Sequence, residues 1–214
     1  MNFTGKNLLL YAVGGADGKE SFFTDLESAL KGGITCFQLR EKHLLFDEFL
    51  AEAKEVKKLC AKYSVPLIIN DNIEIALQSE ADGVHVGQDD MNIVEARKIA
   101  GERLVIGVSA HNVEEALAAE KAGADYLGSG AVFGSRTKSN VRTLPLETLK
   151  NICSSVKIPV VAIGGINKDN ITRLAGSGID GVALVSAIFG ATDIENECRM
   201  LKRLAEKVML LNLK

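Results

Sequence analysis

One phrase recurs along this chain: an amphipathic stretch, a glycine, a short turn, then a short β-branched or leucine-rich run. The runs fall at 8–13, 34–39, 66–69, 83–86, 104–108, 125–128, 159–163 and 181–185, which makes eight predicted strands. Between them, apolar residues recur at helical spacing, as in Phe46, Phe49, Ala53, Val56 and Cys60, and again in Ile194, Cys198, Leu201, Ala205 and Val208. Asp25-Leu26-Glu27, Asn112-Val113-Glu114-Glu115 and Asn167-Lys168-Asp169-Asn170 supply caps or acidic first turns that favour exposed helix N–H groups. Lys31-Gly32-Gly33, Lys121-Ala122-Gly123 and Gly176-Ser177-Gly178 supply the stops. Eight βα units close naturally into a (β/α)8 TIM barrel of the α/β class, and 214 residues suit one such domain over 1–214. An open doubly wound sheet is the alternative, but no G-x-G-x-x-G opens a first helix and no Pro/Ser-rich linker interrupts the chain.

Composition narrows the function classes. The chain carries 25 basic and 28 acidic residues, a net charge of −3, which argues against a nucleic-acid scaffold or a polybasic membrane binder. Any anion must then be held by local geometry. No apolar run approaches the roughly 18 residues of a membrane span, and the N-terminal stretch lacks a cleavable-signal layout, so a cytoplasmic location is the default expectation. Cys36, Cys60, Cys153 and Cys198 show no C-x-x-C spacing and read as reduced, mostly buried thiols. A homo-oligomer is compatible with everything in the sequence.

In a barrel the chemistry sits at the C-terminal strand ends. The residues there are polar: Gln38, Arg40, Glu41 and Lys42 after the second run, Asn70 and Asp71 after the third, and His85, Gln88, Asp89 and Asp90 around the fourth. Ser109 and His111 follow the fifth, Ser135, Arg136, Thr137 and Lys138 the sixth, Gly164 and Gly165 the seventh and Ser186 the eighth. Arg40, Lys42 and Lys138 could converge on one anion, whereas Asp71 and Asp90 would repel each other without a cation between them. Oxygen ligands of this kind suit Mg²⁺, and cations beside Mg²⁺ point to a pyrophosphate. The plainer alternative is a solvated charge run at Arg40-Glu41-Lys42 and a helix cap at Asp89-Asp90. Gly164-Gly165 and Ser186 suggest a second, phosphate-binding cradle, with two tight turns as the alternative. His85 reads equally as a core imidazole or a substrate contact, His111 as part of a helix opening and His43 as solvated. The stretch 131–145 is long and irregular, as functional loops are.

Several blocks occur together in family order: Gln38-Leu39-Arg40-Glu41-Lys42, Ile68-Ile69-Asn70-Asp71, Asp82-Gly83-Val84-His85-Val86-Gly87-Gln88-Asp89-Asp90, Gly107-Val108-Ser109-Ala110-His111, Thr137-Lys138, Val161-Ala162-Ile163-Gly164-Gly165-Ile166 and Gly181-Val182-Ala183-Leu184-Val185-Ser186. In these the chain resembles the thiamine phosphate synthase family over nearly its whole length. The resemblance implies a transferase that joins hydroxymethylpyrimidine diphosphate to a thiazole phosphate, giving thiamine phosphate and pyrophosphate. By the same resemblance Asp71 and Asp90 would bind Mg²⁺, Arg40, Lys42, Asn70 and Lys138 would hold the diphosphate, and Gln38 and Ser109 would lie near the pyrimidine. Ser135, Thr137, Gly165, Val185 and Ser186 would hold the thiazole phosphate, with Lys138, Arg40, Lys42 and Ser109 the catalytic group. Gly14, Asn72, Ala131 and Ser135 depart from the family's usual Thr, Arg, Pro and Thr. A thiazole tautomerase relative shares the cradle but lacks the Asp pair, and a non-catalytic sensor of a phosphorylated precursor is a rival of another class. Asp71, Asp90 and Lys138 favour the synthase.

Overall fold

The computed structural model describes residues 3–16, 18–88, 92–134 and 143–212. Its strands are β1 (Leu10–Gly14), β2 (Cys36–Leu39), β3 (Leu67–Asn70), β4 (Gly83–Val86), β5 (Val105–Ser109), β6 (Tyr126–Gly130), β7 (Val160–Ile163) and β8 (Gly181–Leu184). They form a closed barrel in sequence order, every neighbour pair parallel, with β1 pairing β8. The helices are α1 (Phe22–Gly32), α2 (Phe46–Lys62), α3 (Ile73–Gln78), α4 (Ile93–Ala100), α5 (Val113–Lys121), α6 (Leu146–Ser155), α7 (Ser186–Phe189) and α8 (Ile194–Asn212).

Alternation along each strand splits the core in two. Leu10, Phe37, Leu67, Val84, Ile106, Leu127, Val160 and Val182 face the helices, while Tyr11, Val13, Cys36, Ile68, Tyr126, Val161 and Ala183 fill the barrel. The expected periodic faces bury as read: Phe49, Ala53, Val56 and Cys60 in α2, and Ile194, Cys198, Leu201, Ala205 and Val208 in α8. Phe46 is the exception. It opens α2 and remains 38% exposed.

A capping device repeats around the N-terminal rim. The residue just before each even-numbered strand accepts a backbone N–H from the strand before it: Leu10 N–H donates to Thr35 Oγ1 at 2.9 Å, Leu67 to Asp82 at 2.8 Å, Ile106 to Asp125 at 2.7 Å and Val160 to Asp180 at 2.9 Å. Below them a 3-10 helix (Gly5–Leu8) plugs the barrel floor with the fully buried Leu8, and the Phe3 ring lies 5.9 Å from that of Tyr126. That plug explains why β1 begins two residues later than the apolar run starts.

The helix expected to open at Asn167-Lys168-Asp169-Asn170 does not form. Asn170 Oδ1 accepts the Asn167 N–H and Asn167 Oδ1 accepts the Asp169 N–H, each at 2.9 Å, and only a 3-10 helix (Ile171–Leu174) follows. Asparagine side chains here compete with the helical ladder rather than cap it. Gly176-Ser177-Gly178 accordingly follows that 3-10 helix rather than closing an α-helix, whereas Asn112 caps α5 by accepting the Glu115 N–H at 2.8 Å, and Gly33 and Gly123 end helices at φ 92° and 94°. The four cysteines are free, with Cys36, Cys60 and Cys198 buried.

Candidate active site

The floor being sealed, the open end is the C-terminal one. Gln38 near the end of β2 is buried, while Asn70 and Ser109, last in β3 and β5, are half-buried. Arg40 follows β2 with its N–H bonded to the Gly14 carbonyl at 2.8 Å, and Lys42 beyond it is exposed. Asp71 leaves β3 in the left-handed region at φ 64°, its N–H donating to the His85 carbonyl at 2.8 Å, and is exposed at the mouth. Aspartate tolerates that region better than most residues. Gln88 donates through Nε2 to the Ser109 carbonyl at 2.5 Å and ties the β4 exit to the β5 exit.

Inside the barrel, five side chains are joined end to end. Gln38 Nε2 donates to Tyr11 Oη at 2.8 Å, the Tyr11 and Tyr126 hydroxyls lie 2.8 Å apart, Tyr126 Oη is 3.0 Å from His85 Nδ1, and His85 Nε2 is 3.1 Å from Ser109 Oγ. Burial pushes both phenols well above the ordinary tyrosine range, so each keeps its proton. His85 is satisfied within the interior, as the core-imidazole reading has it, and its Nε2 reaches Ser109 at the end of β5. His111 instead pairs with Glu115 at 2.9 Å on the surface, as a helix-opening residue should. Neither Tyr11 nor Tyr126 stood out in the sequence, where the only signal was their inward phase on β1 and β6.

A second cluster joins the loops after β1 and β2. Glu52 on α2 accepts the Ala16 N–H at 3.4 Å, and a Cβ on Gly15 would overlap the Glu41 carboxylate. Burial, and then the Glu41 charge, raise the Glu52 carboxyl from its ordinary 4.5 to about 7, with the Ala16 N–H pulling the other way.

On the far side, Gly164 and Gly165 leave β7 at φ 102° and 64°. A Cβ on Gly165 would lie 2.5 Å from the Phe133 carbonyl oxygen, so this turn seats the start of the loop after β6 as well as shaping the mouth. Phe133 donates its N–H to the Gly164 carbonyl at 3.0 Å, and the Arg173 guanidinium stacks 4.8 Å over the Phe133 ring. Val185 and Ser186 form the turn into α7, with the Phe189 N–H bonding back to the Val185 carbonyl at 3.1 Å.

Asp90, Ser135, Thr137 and Lys138 lie outside the described residues. Among the described residues no group of three or more His, Cys, Asp and Glu could hold a metal ion. Two departures have a structural account. A Cβ on Gly14 would stand 2.8 Å from the Phe189 ring, so the aromatic side chain occupies the space beside the β1 exit. Asn72 accepts the Ile75 N–H at 3.0 Å and caps α3.

Eight parallel strands closed in sequence order, a sealed floor and polar side chains gathered at the C-terminal mouth define a (β/α)8-barrel enzyme. The thiamine monophosphate synthase family profile matches residues 10–188. A thiamine-phosphate synthase from Clostridium acetobutylicum is 46% identical over 189 residues, 88% of this chain and 90% of that protein. One from Clostridium novyi is 50% identical over 177 residues, 82% and 87% of the two chains. The solved structure of thiamine phosphate pyrophosphorylase from Pyrococcus furiosus superimposes with a TM-score of 0.89 at 40% identity, covering 96% of this chain and 98% of that one. The chain belongs to the thiamine monophosphate synthase family, and its class of enzyme is a transferase of thiamine biosynthesis. No helix among the described residues is long and apolar enough to cross a membrane.

Proposed function

We propose that this enzyme couples 4-amino-2-methyl-5-hydroxymethylpyrimidine diphosphate to thiazole phosphate, releasing thiamine phosphate and pyrophosphate. The observation that carries the reading is the convergence of Gln38, Asn70, Asp71 and Ser109 on one barrel mouth in a chain 46% identical to a thiamine-phosphate synthase. In the reaction the methylene C–O bond breaks with its electron pair going to the departing pyrophosphate oxygen, and the pyrimidine ring stabilises the cation left behind. The thiazole nitrogen lone pair then forms the new C–N bond. No protein nucleophile takes part.

The protein's work is therefore positioning and charge neutralisation. Arg40, Lys42, Asn70 and Lys138 hold the diphosphate, and Gln38 and Ser109 orient the pyrimidine. Ser135, Thr137, Gly165, Val185 and Ser186 hold the thiazole phosphate. The exposed carboxylate of Asp71 is a hard oxygen donor that fits Mg²⁺, which takes one or two carboxylates and completes its shell with water and phosphate oxygens. Asp71 and Asp90 would hold that ion, which when bound supplies neutralisation of charge on the leaving group. The substrates are small phosphorylated molecules, and the setting is the cytoplasm. Incubating the full chain with both substrates and Mg²⁺ and weighing the products by mass spectrometry tests the reading. Thiamine phosphate is expected, and an isomerised thiazole without coupling would assign the tautomerase instead.

A further inference from the structure

The chain Gln38–Tyr11–Tyr126–His85–Ser109 crosses the barrel interior from the β2 side of the mouth to the β5 side. Its members are neutral hydroxyls, an amide and an imidazole, so the protons can be followed by counting donors. Gln38 spends an N–H on Tyr11. Tyr11 then has one proton, with the Tyr126 oxygen and the weaker acceptor Cys36 Sγ in reach; given to the stronger acceptor it goes to Tyr126, which in turn has one proton for His85 Nδ1. An imidazole that accepts at Nδ1 carries its proton on Nε2 and donates it to Ser109 Oγ. Run in this direction, every buried proton meets an oxygen or nitrogen, as buried polar groups require. The Ser109 hydroxyl proton is left for an acceptor at the mouth, and Gln38 keeps its Oε1 and one N–H.

The barrel is shaped around this arrangement. Gly107 and Gly128 are inward positions on β5 and β6 with no side chain. A Cβ on Gly107 would overlap the Tyr126 hydroxyl, and one on Gly128 would stand 3.0 Å from His85 Cε1. Tyr126 is fully buried, so its hydroxyl cannot exchange these partners for water.

We propose that Tyr126 is a positioning residue which, through this one-way chain, sets the hydrogen-bond polarity of Gln38 and Ser109 together and so selects a heteroaromatic ring offering a donor to the first and an acceptor to the second. This rests on the functional reading above, in which those two residues meet the pyrimidine. Unless Tyr11 turned its proton to the weaker acceptor Cys36 Sγ, reversing one bond would reverse them all: His85 would carry its proton on Nδ1, the Gln38 amide would turn over and Ser109 would lose its free proton. The two recognition groups are correlated although they stand on opposite walls.

Two readouts test this, one of which needs no substrate. In ¹⁵N NMR of the full chain, His85, distinguished from the other two histidines by a His85→Gln variant, should show the Nε2–H tautomer. Tyr126→Phe keeps the ring but removes the hydroxyl; it should change that tautomer population and weaken pyrimidine diphosphate binding by calorimetry about tenfold, the scale of one lost hydrogen bond. Thiazole phosphate binding should stay within about twofold. Tyr11→Phe should weaken the pyrimidine ligand similarly while leaving the His85 tautomer unchanged, because Tyr126 still donates to it. A wild-type Nδ1–H tautomer would overturn the proposal, as would variants that lower Tm without separating the two affinities. Failure of the wild type to couple the substrates, with the tautomer as expected, would refute the functional reading alone.

Discussion

One carboxylate oxygen of Asp82 accepts the Leu67 N–H at 2.8 Å and is reached by Lys57 Nζ at 2.6 Å. It thereby joins β3, β4 and α2 at the end of the barrel opposite the mouth. Asp82→Ala should leave that N–H and the ammonium without their acceptor, destabilising the fold by about 2 kcal/mol and lowering Tm by roughly 4–8 °C. Both KM values should stay within twofold, since the mouth is untouched. Thermal unfolding beside steady-state kinetics checks this, and a large KM change would mean that the rim and the mouth are coupled.

The carboxyl pair behind Gly15 gives a pH dependence. Glu52 sits near 7 in the folded protein against its ordinary 4.5, so folding takes up a proton between those values. The stability associated with this group is full below about 4.5 and is lost as pH rises through about 7. Glu52→Gln removes the titration. Denaturant unfolding between pH 5 and pH 8 should show the wild type losing stability relative to the variant as pH rises; parallel curves would contradict the raised carboxyl.

The eight strands were readable because helix caps, glycine stops and apolar runs punctuate the βα units, whereas the rim role of Asp82, Asp125 and Asp180 before β4, β6 and β8 emerged only from the structure. Local hydrogen bonding defeated the reading at Asn167 to Asn170, where the same residue types that cap helices closed a turn instead. The polar mouth was legible from strand exits, but its support was not. Period-two alternation says that Tyr11 and Tyr126 face inward; it does not say that two residues 115 positions apart share a hydrogen bond. Such partners are set by which strands oppose one another across the lumen, and that is a property of closure. The Glu41–Glu52 contact was hidden for a similar reason, since it joins a strand exit to a helix of the same unit.

Gly165 carries two duties. Gly165→Val should force a side chain into the left-handed region and against the Phe133 carbonyl, destabilising the fold by about 1–3 kcal/mol. If the proposed thiazole phosphate cradle includes this turn, the KM for thiazole phosphate should rise by at least about tenfold, more than that for the diphosphate substrate. Equal changes in the two constants would show that the two sites are assigned wrongly.

Lys138 is placed by the functional reading against the departing pyrophosphate. Lys138→Ala should lower kcat by roughly two to three powers of ten, the scale for one preorganised charge-stabilising donor. Single-turnover kinetics with saturating substrates measures it, and an unchanged kcat would remove Lys138 from the mechanism.

The most direct test mixes the full chain with pyrimidine diphosphate, thiazole phosphate and Mg²⁺, follows thiamine phosphate and pyrophosphate by mass spectrometry, and repeats the assay with a chelator and with Asp71→Asn. Coupling should occur with Mg²⁺, stop in the chelated sample and fall steeply in the variant, while calorimetry finds thiazole phosphate affinity within a few-fold throughout. Full coupling in the chelated sample would refute the metal's role, and thiazole isomerisation without any thiamine phosphate would refute the synthase reading itself.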